Sequence, residues 1–203
     1  MKNVPNILTI TRLIIVPIFL FFSFATFCPA NLYIALVLFI IGAVTDFLDG
    51  YLARKYNVIS NIGKFLDPIA DKVLFLAGLI VIVHLLYTTN YFSDVFTYLI
   101  ILSVFVILTR DYIVDAIRQI ASANGKIIPA DIFGKLKTMV QDIALPLLLL
   151  YFAIVINSGL ANQGFVLIFG YVAMALYFVG VLLAIASGIN YFVKNKKILF
   201  NKE

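Results

Sequence analysis

The 203-residue chain has few charges, one cysteine, one histidine and no tryptophan. Asp, Glu, Lys and Arg make up 12% of its residues, whereas a soluble domain contains about 25%. Hydrophobic residues make up 64%. This shortage of charge excludes an ordinary soluble protein. We therefore predict an integral membrane protein whose residues 1–203 form a single domain.

The scarcity of cysteine and histidine limits the kinds of metal site that the chain can build. A lone cysteine, Cys28, excludes an intramolecular disulfide and a cysteine-based metal cluster. Zinc is not expected, because the only histidine, His84, lies several helical turns from the nearest acidic residue. The net charge is +5, but the chain has no dense run of Lys and Arg, so nucleic acid is not an expected partner.

Apolar stretches divide the sequence into candidate membrane spans, each of which needs about 20 mostly apolar residues. Six stretches qualify: residues 7–25, 33–53, 64–86, 96–118, 138–157 and 165–190. The sequence thus predicts an all-α, polytopic bundle of six transmembrane helices. A cleaved signal peptide is the alternative interpretation of the first stretch, which is, however, long and opens with a polar segment.

The positions of Lys and Arg predict how the bundle is oriented. Lys or Arg occurs at the N-terminus, in the 54–63 and 119–137 connections and at the C-terminus, and neither occurs near 26–32, 87–95 or 158–164. An even number of spans with both termini in the cytoplasm explains this alternation. We therefore predict a multi-pass protein of the cytoplasmic membrane.

Four aspartates lie in apolar spans or at their ends, where an ionised side chain is energetically costly. Asp46 and Asp49 are three positions apart and Asp67 and Asp71 are four apart, so each pair falls on one helix face. The two spans are consecutive and joined by a short basic loop. We expect antiparallel neighbours whose acidic faces meet at the same depth, on the cytoplasmic side.

Four carboxylates in one cavity repel one another unless a cation compensates them. Oxygen-only ligands suit hard cations such as Mg²⁺, Mn²⁺ or Ca²⁺, so the pattern predicts a divalent-metal site. Gly50 and Ala53 lie on the same face as Asp46 and Asp49. Their small side chains leave room for a ligand beside the backbone, or else they serve only close helix packing.

The acidic stretch reads Asp46-x2-Asp49-Gly50-x2-Ala53-Arg54-x8-Gly63-x3-Asp67-x3-Asp71. At every defined position it resembles the signature of the CDP-alcohol phosphotransferase family. The resemblance implies a six-helix membrane fold, a homodimer, and a metal-dependent exchange of the CMP of a CDP-linked donor for an alcohol. It also implies that the four aspartates hold one or two Mg²⁺ or Mn²⁺ ions and that Asp71 is the general base. The implied donor-binding residues are Gly50, Ala53, Arg54 and Gly63.

Two further stretches resemble the phosphatidylglycerophosphate synthase branch of this family: Pro5-Asn6-Ile7-Leu8-Thr9-x2-Arg12 and Gly134-Lys135-x-Lys137-Thr138-x2-Gln141. This likeness implies CDP-diacylglycerol as the donor and sn-glycerol 3-phosphate as the acceptor. The branch often has Arg-Glu where this chain has Arg110-Asp111, which leaves the role of Asp111 open. The roles of Arg12 and Lys72 are open as well.

Basic residues of the later spans are candidates for binding the acceptor's phosphate: Arg110, Arg118, Lys135 and Lys137. Arg110 lies well inside a span, so it requires a partner, and arginine can bind phosphate through two parallel hydrogen bonds. The alternatives are ion pairs of Arg110 with Asp115 or Asp142 and of Arg118 with Asp115. The two lysines would then only anchor the chain at the cytoplasmic surface.

Other functions remain as alternatives at this stage. The same chemistry could use phosphatidylglycerol as the acceptor, which would give cardiolipin, or serine, which carries no phosphate. A cation transporter is a more distant alternative, because the acidic residues are concentrated at one end of two adjacent spans and do not continue across the membrane.

Overall fold

The computed structural model describes residues 4–25, 28, 30–56, 61–123, 125, 128, 131–160 and 163–200. Side chains are described for most of these residues, but not for 4–6, 46–65, 67–68, 71, 123 and 197–200. The elements in this part of the chain are six helices: α1 (Val4–Phe24), α2 (Asn31–Tyr56), α3 (Asn61–Thr89), α4 (Asp94–Ala123), α5 (Ile132–Ser158) and α6 (Gly164–Phe200). The prediction of six helices is therefore confirmed.

Each helix begins before the predicted apolar stretch and is longer than it, because the helical backbone continues beyond the apolar residues into the polar residues that flank them. The clearest case is α6, which has 37 residues and runs on through Lys194 and Lys196. Such a helix is about 55 Å long, whereas the hydrocarbon core of a bilayer is about 30 Å thick. Helix α6 therefore has to extend beyond the hydrocarbon core or tilt within it.

Within the described residues, four segments are long and apolar enough to cross a membrane: Ile7–Phe24, Lys72–Thr89, Ile132–Ser158 and Gly164–Lys196. A shorter apolar stretch, Asn31–Thr45, lies in α2. Large apolar side chains point outward along the helices; Phe105 is 70% exposed and Phe165 is 83% exposed. Exposed apolar surface on this scale suits contact with lipid. The cytoplasmic orientation of both termini stays a prediction.

Left-handed residues end two of the helices. Asn90, with φ 52°, follows α3, and its amide donates a hydrogen bond of 3.3 Å to the carbonyl of Leu86. Gly159, with φ 66°, follows α5 and donates in the same way to Val155 at 3.2 Å. Glycine adopts this conformation without strain and asparagine tolerates it, so both positions suit helix termination.

The chain divides into two compact units, Met1–Tyr91 with Leu145–Gly170, and Phe92–Ala144 with Tyr171–Glu203. Helices α5 and α6 each contribute to both units. In the first unit, α1 contacts α2 and α3, and α2 contacts α3. Its core includes Phe19 and Phe39, whose ring centroids lie 5.5 Å apart. In the second unit, the hydroxyls of Ser103 and Tyr177 form a buried hydrogen bond of 2.6 Å between α4 and α6.

The packing of α6 in the first unit depends on a glycine. A Cβ atom at Gly170 would lie 2.5 Å from Cε2 of the fully buried Tyr151. We expect Gly170→Ala to lower the free energy of unfolding by about 1–3 kcal/mol, because the tyrosine ring has to move within a packed core. Thermal unfolding in detergent, followed by circular dichroism, measures this.

Gly164→Ala is the matched control, since a Cβ atom at Gly164, at the start of the same helix, meets no described atom within 4 Å. Its effect should stay within about 1 kcal/mol. Equal loss of stability in the two variants would contradict the packing account.

Candidate active site

Helices α2 and α3 approach closely just beside the acidic segments. A Cβ atom at Gly78 would lie 2.7 Å from the Phe39 ring, and one at Gly42 would lie 2.9 Å from Leu74. The contact position therefore moves backward along α3 as it moves forward along α2, which defines an antiparallel register. Glycine at both positions is what lets the two helices come this close.

The register can be extended from these contacts into the acidic segments, by one helical turn for positions 46 and 71 and by two turns for positions 49 and 67. If the two helices stay straight, position 46 of α2 would lie opposite position 71 of α3, and position 49 would lie opposite position 67. All four positions are helical, so the predicted one-face spacing of each pair holds for the backbone. The antiparallel register is compatible with the predicted meeting of the two halves of the signature, which itself stays a prediction.

The side chains of the predicted metal and donor sites lie outside those that the structure describes: Asp46, Asp49, Gly50, Ala53, Arg54, Gly63, Asp67 and Asp71. Their roles stay predictions. Among the remaining described residues, no group of three or more His, Cys, Asp and Glu side chains could hold a metal ion.

In the second unit, Lys137 and Asp111 form a buried ion pair. The Lys137 side chain is only 4% exposed, and its Nζ donates to both carboxylate oxygens of Asp111, at 2.9 and 2.8 Å. An ammonium in such surroundings is strongly destabilised without a counter-charge. Asp111 provides that charge from α4, 26 positions away along the chain.

The Asp111 carboxylate also binds Arg110. Nη1 of Arg110 donates to Oδ1 of Asp111 at 2.9 Å, and Nη2 of Arg110 donates to the Ser187 hydroxyl of α6. Two glycines make room for this arginine. A Cβ atom would lie 2.8 Å from Cγ of Arg110 if placed at Gly188, and 3.3 Å from Nη2 if placed at Gly134. Helices α4, α5 and α6 therefore all take part in holding the guanidinium.

The other two predicted acceptor residues have different surroundings. Arg118 lies over the Tyr191 ring, 5.5 Å from its centroid, and its Nε donates to the Tyr191 hydroxyl at 3.2 Å. Lys135 is exposed in the first turns of α5. The structure thus brings together Arg110 and Lys137 of the predicted set, whereas Arg118 contacts an aromatic residue of α6.

Sequence reasoning missed the residues that organise this cluster. Arg110 forms its ion pair with Asp111, and not with the predicted candidates Asp115 or Asp142. Ser187 and Tyr191 were not singled out at all. The sequence offered one signal: Asp111 departs from the branch pattern and is adjacent to Arg110, an arginine inside a span. This departure drew attention to position 111 but did not identify the residues that it contacts.

Arg12 and Thr9, from the first branch-like stretch, are fully buried in the first unit. Arginine is almost never fully buried unless it is paired, so the burial of Arg12 requires a compensating interaction. His84 packs edge-on against Phe24, with ring centroids 4.9 Å apart.

Comparisons with known proteins agree with these observations. The family model described as CDP-alcohol phosphatidyltransferase matches residues 2–189. A CDP-diacylglycerol–glycerol-3-phosphate 3-phosphatidyltransferase from Bacillus subtilis is 35% identical, with 98% of each chain covered. A protein of the same name from Rickettsia bellii is 32% identical, with 97% of each chain covered. Another, from Mycoplasma pneumoniae, is 40% identical, with 71% of this chain and 66% of the relative covered. The chain therefore belongs to the CDP-alcohol phosphatidyltransferase family.

Proposed function

We propose that this chain transfers the phosphatidyl group of CDP-diacylglycerol to sn-glycerol 3-phosphate, which gives phosphatidylglycerophosphate and CMP. The observation that carries the proposal is the complete signature from Asp46 to Asp71, which lies on two consecutive helices that pack in an antiparallel register. The name that relatives from several bacteria share supports this choice of donor and acceptor.

The proposed reaction breaks the phosphoanhydride bond between the phosphatidyl group and CMP and forms a phosphate ester with an alcohol in its place. A free hydroxyl of glycerol 3-phosphate attacks the phosphorus that carries the diacylglycerol. A new P–O bond forms, and the bond from this phosphorus to the CMP oxygen breaks, so that CMP leaves with the electron pair. The hydroxyl proton passes to the carboxylate of Asp71, which acts as the general base.

The proposed cofactor is Mg²⁺ or Mn²⁺, as one or two ions. The donor set fits such ions, because the candidate ligands are carboxylates and these cations prefer oxygen. When bound, the metal supplies positive charge next to the donor's pyrophosphate, where negative charge develops. The ligands in this proposal are Asp46, Asp49, Asp67 and Asp71.

Residues between the aspartates are proposed to bind the donor. Gly50 and Ala53 have small side chains, so the cytidine can approach the helix backbone. Arg54 forms an ion pair with a phosphate of the donor. Gly63 plays the same space-making part at the start of α3. The diacylglycerol part of the donor stays in the membrane, which requires the active site to lie at the lipid interface. The proposed location is the cell membrane, as a multi-pass protein whose active site faces the cytoplasm. A homodimer is the proposed assembly.

The acceptor's own phosphate binds to basic residues in this proposal: Arg110, Arg118, Lys135 and Lys137. The cluster of Arg110, Lys137 and Asp111 supports it, because two cations share one carboxylate and a formal charge of about +1 is left over. A surplus positive charge in a poorly hydrated setting attracts a phosphate strongly. Serine would make no use of it.

The metal proposal predicts that a chelator abolishes CMP release and that added Mg²⁺ or Mn²⁺ restores it. Asp71→Asn should lower kcat at least about 100-fold, because it removes the base. Release of CMP from CDP-diacylglycerol by protein purified in detergent measures both effects.

Asp94→Asn is the matched control, since Asp94 is an exposed aspartate in the first turn of α4 and lies outside the signature. It should keep full activity. Full activity of Asp71→Asn would refute the assigned base, and turnover in the presence of chelator would refute the metal.

The acceptor proposal predicts release of CMP with glycerol 3-phosphate, but not with serine or phosphatidylglycerol, when the three are offered in parallel. The reason is that the basic cluster binds a small acceptor that carries its own phosphate. Turnover with phosphatidylglycerol or serine alone would keep the transfer chemistry and overturn the choice of acceptor.

A further inference from the structure

The cluster of Asp111, Lys137, Arg110 and Ser187 holds its two cations in fixed directions. The Lys137 ammonium is bound by both oxygens of one carboxylate, at 2.8 and 2.9 Å, and its side chain is only 4% exposed. Long lysine side chains ordinarily keep their charge in water. Here the bidentate contact keeps the ammonium inside the helix bundle.

The Arg110 guanidinium is held at both of its ends. Asp111 accepts from Nη1 at 2.9 Å, and the Ser187 hydroxyl accepts from Nη2. The Arg110 Nε is buried and has no hydrogen-bond partner within the part of the chain that the structure describes. Because the guanidinium is planar, fixing two of its nitrogens also fixes the direction of the remaining donors.

Asp111 orders these cations without neutralising them. Among these three groups, two positive charges face one negative charge, so Asp111 offsets only one of them. The Arg110 and Asp111 side chains are 13% and 18% exposed, so this edge of the cluster is not fully enclosed. Donors that are already ordered lose less entropy when a ligand binds.

We infer that Asp111 is a positioning residue for the phosphate of the acceptor: it holds Lys137 and Arg110 in place, and Ser187 holds the far end of the arginine. The identification of that phosphate as the one in glycerol 3-phosphate rests on the proposed function. The inference gives a role to the aspartate that departs from the branch pattern, since a carboxylate one methylene shorter than glutamate reaches both cations here.

The test compares Asp111→Asn, Asp111→Glu and Ser187→Ala with the natural chain, purified in detergent. Initial rates of CMP release give KM for glycerol 3-phosphate at saturating donor and KM for CDP-diacylglycerol at saturating acceptor. Titration calorimetry, without donor, gives the affinity for glycerol 3-phosphate and for inorganic phosphate.

Asp111→Asn should raise KM for glycerol 3-phosphate about tenfold or more and leave KM for the donor within about twofold, as expected when an orienting partner is lost. Ser187→Ala should raise KM for glycerol 3-phosphate by about threefold, because Asp111 still holds the other end of Arg110. Asp111→Glu keeps the charge and should recover most of the affinity.

Asp131→Asn is the matched control. Asp131 is a partly buried aspartate of the same unit that accepts a hydrogen bond from Asn190 and lies 3.8 Å from the Lys194 ammonium. Its loss should change thermal stability alone. If Asp111→Asn behaved in the same way, with KM for glycerol 3-phosphate unchanged or both KM values raised equally, the positioning role would be refuted.

The two assays separate failure of this inference from failure of the proposed function. If the natural chain releases no CMP with glycerol 3-phosphate, the proposed function fails, and weaker phosphate binding in Asp111→Asn would still support the positioning of a phosphate. If the natural chain binds neither glycerol 3-phosphate nor inorganic phosphate, or if Asp111→Asn binds them unchanged, the positioning role is overturned.

Discussion

A charge buried among apolar helices requires a compensating charge, and this requirement governs both polar regions of the molecule. Lys137 meets it through Asp111, which accepts from the ammonium with both carboxylate oxygens. The four aspartates of α2 and α3 are the opposite case in our proposal, because they would bring like charges to the same level of adjacent helices. A divalent cation is the compensating charge that suits four carboxylates, so the same physical rule leads from sequence to cofactor.

Small residues place these charges where they can act. Glycine at positions 42 and 78 allows α2 and α3 to approach closely in an antiparallel register. In the second unit, Gly188 leaves the space that the Arg110 side chain occupies. Close helix packing in membranes commonly depends on such residues. Here the close approach also determines which charged groups meet, so packing and chemistry are linked through the same positions.

The helices could be predicted from the sequence because apolar stretches of membrane length are a strong signal that depends only on neighbouring residues. Helical spacing and a short loop also lead us to expect that Asp46 and Asp49 face Asp67 and Asp71, and this stays a prediction. The surroundings of Arg110 could not. Its partner Ser187 lies 77 positions away, and side-chain pairing over such a separation depends on how α4 packs against α6, which the pattern of apolar residues does not encode.

The central claim is that the four signature carboxylates form one metal site. Electron paramagnetic resonance of Mn²⁺ titrated into the purified chain tests it directly, because bound Mn²⁺ loses the sharp signal of the free ion. The account predicts saturable binding of roughly one or two ions per chain and its loss in an Asp46→Asn, Asp71→Asn double variant that remains folded. Equal Mn²⁺ binding by the natural chain and the folded double variant would contradict the account.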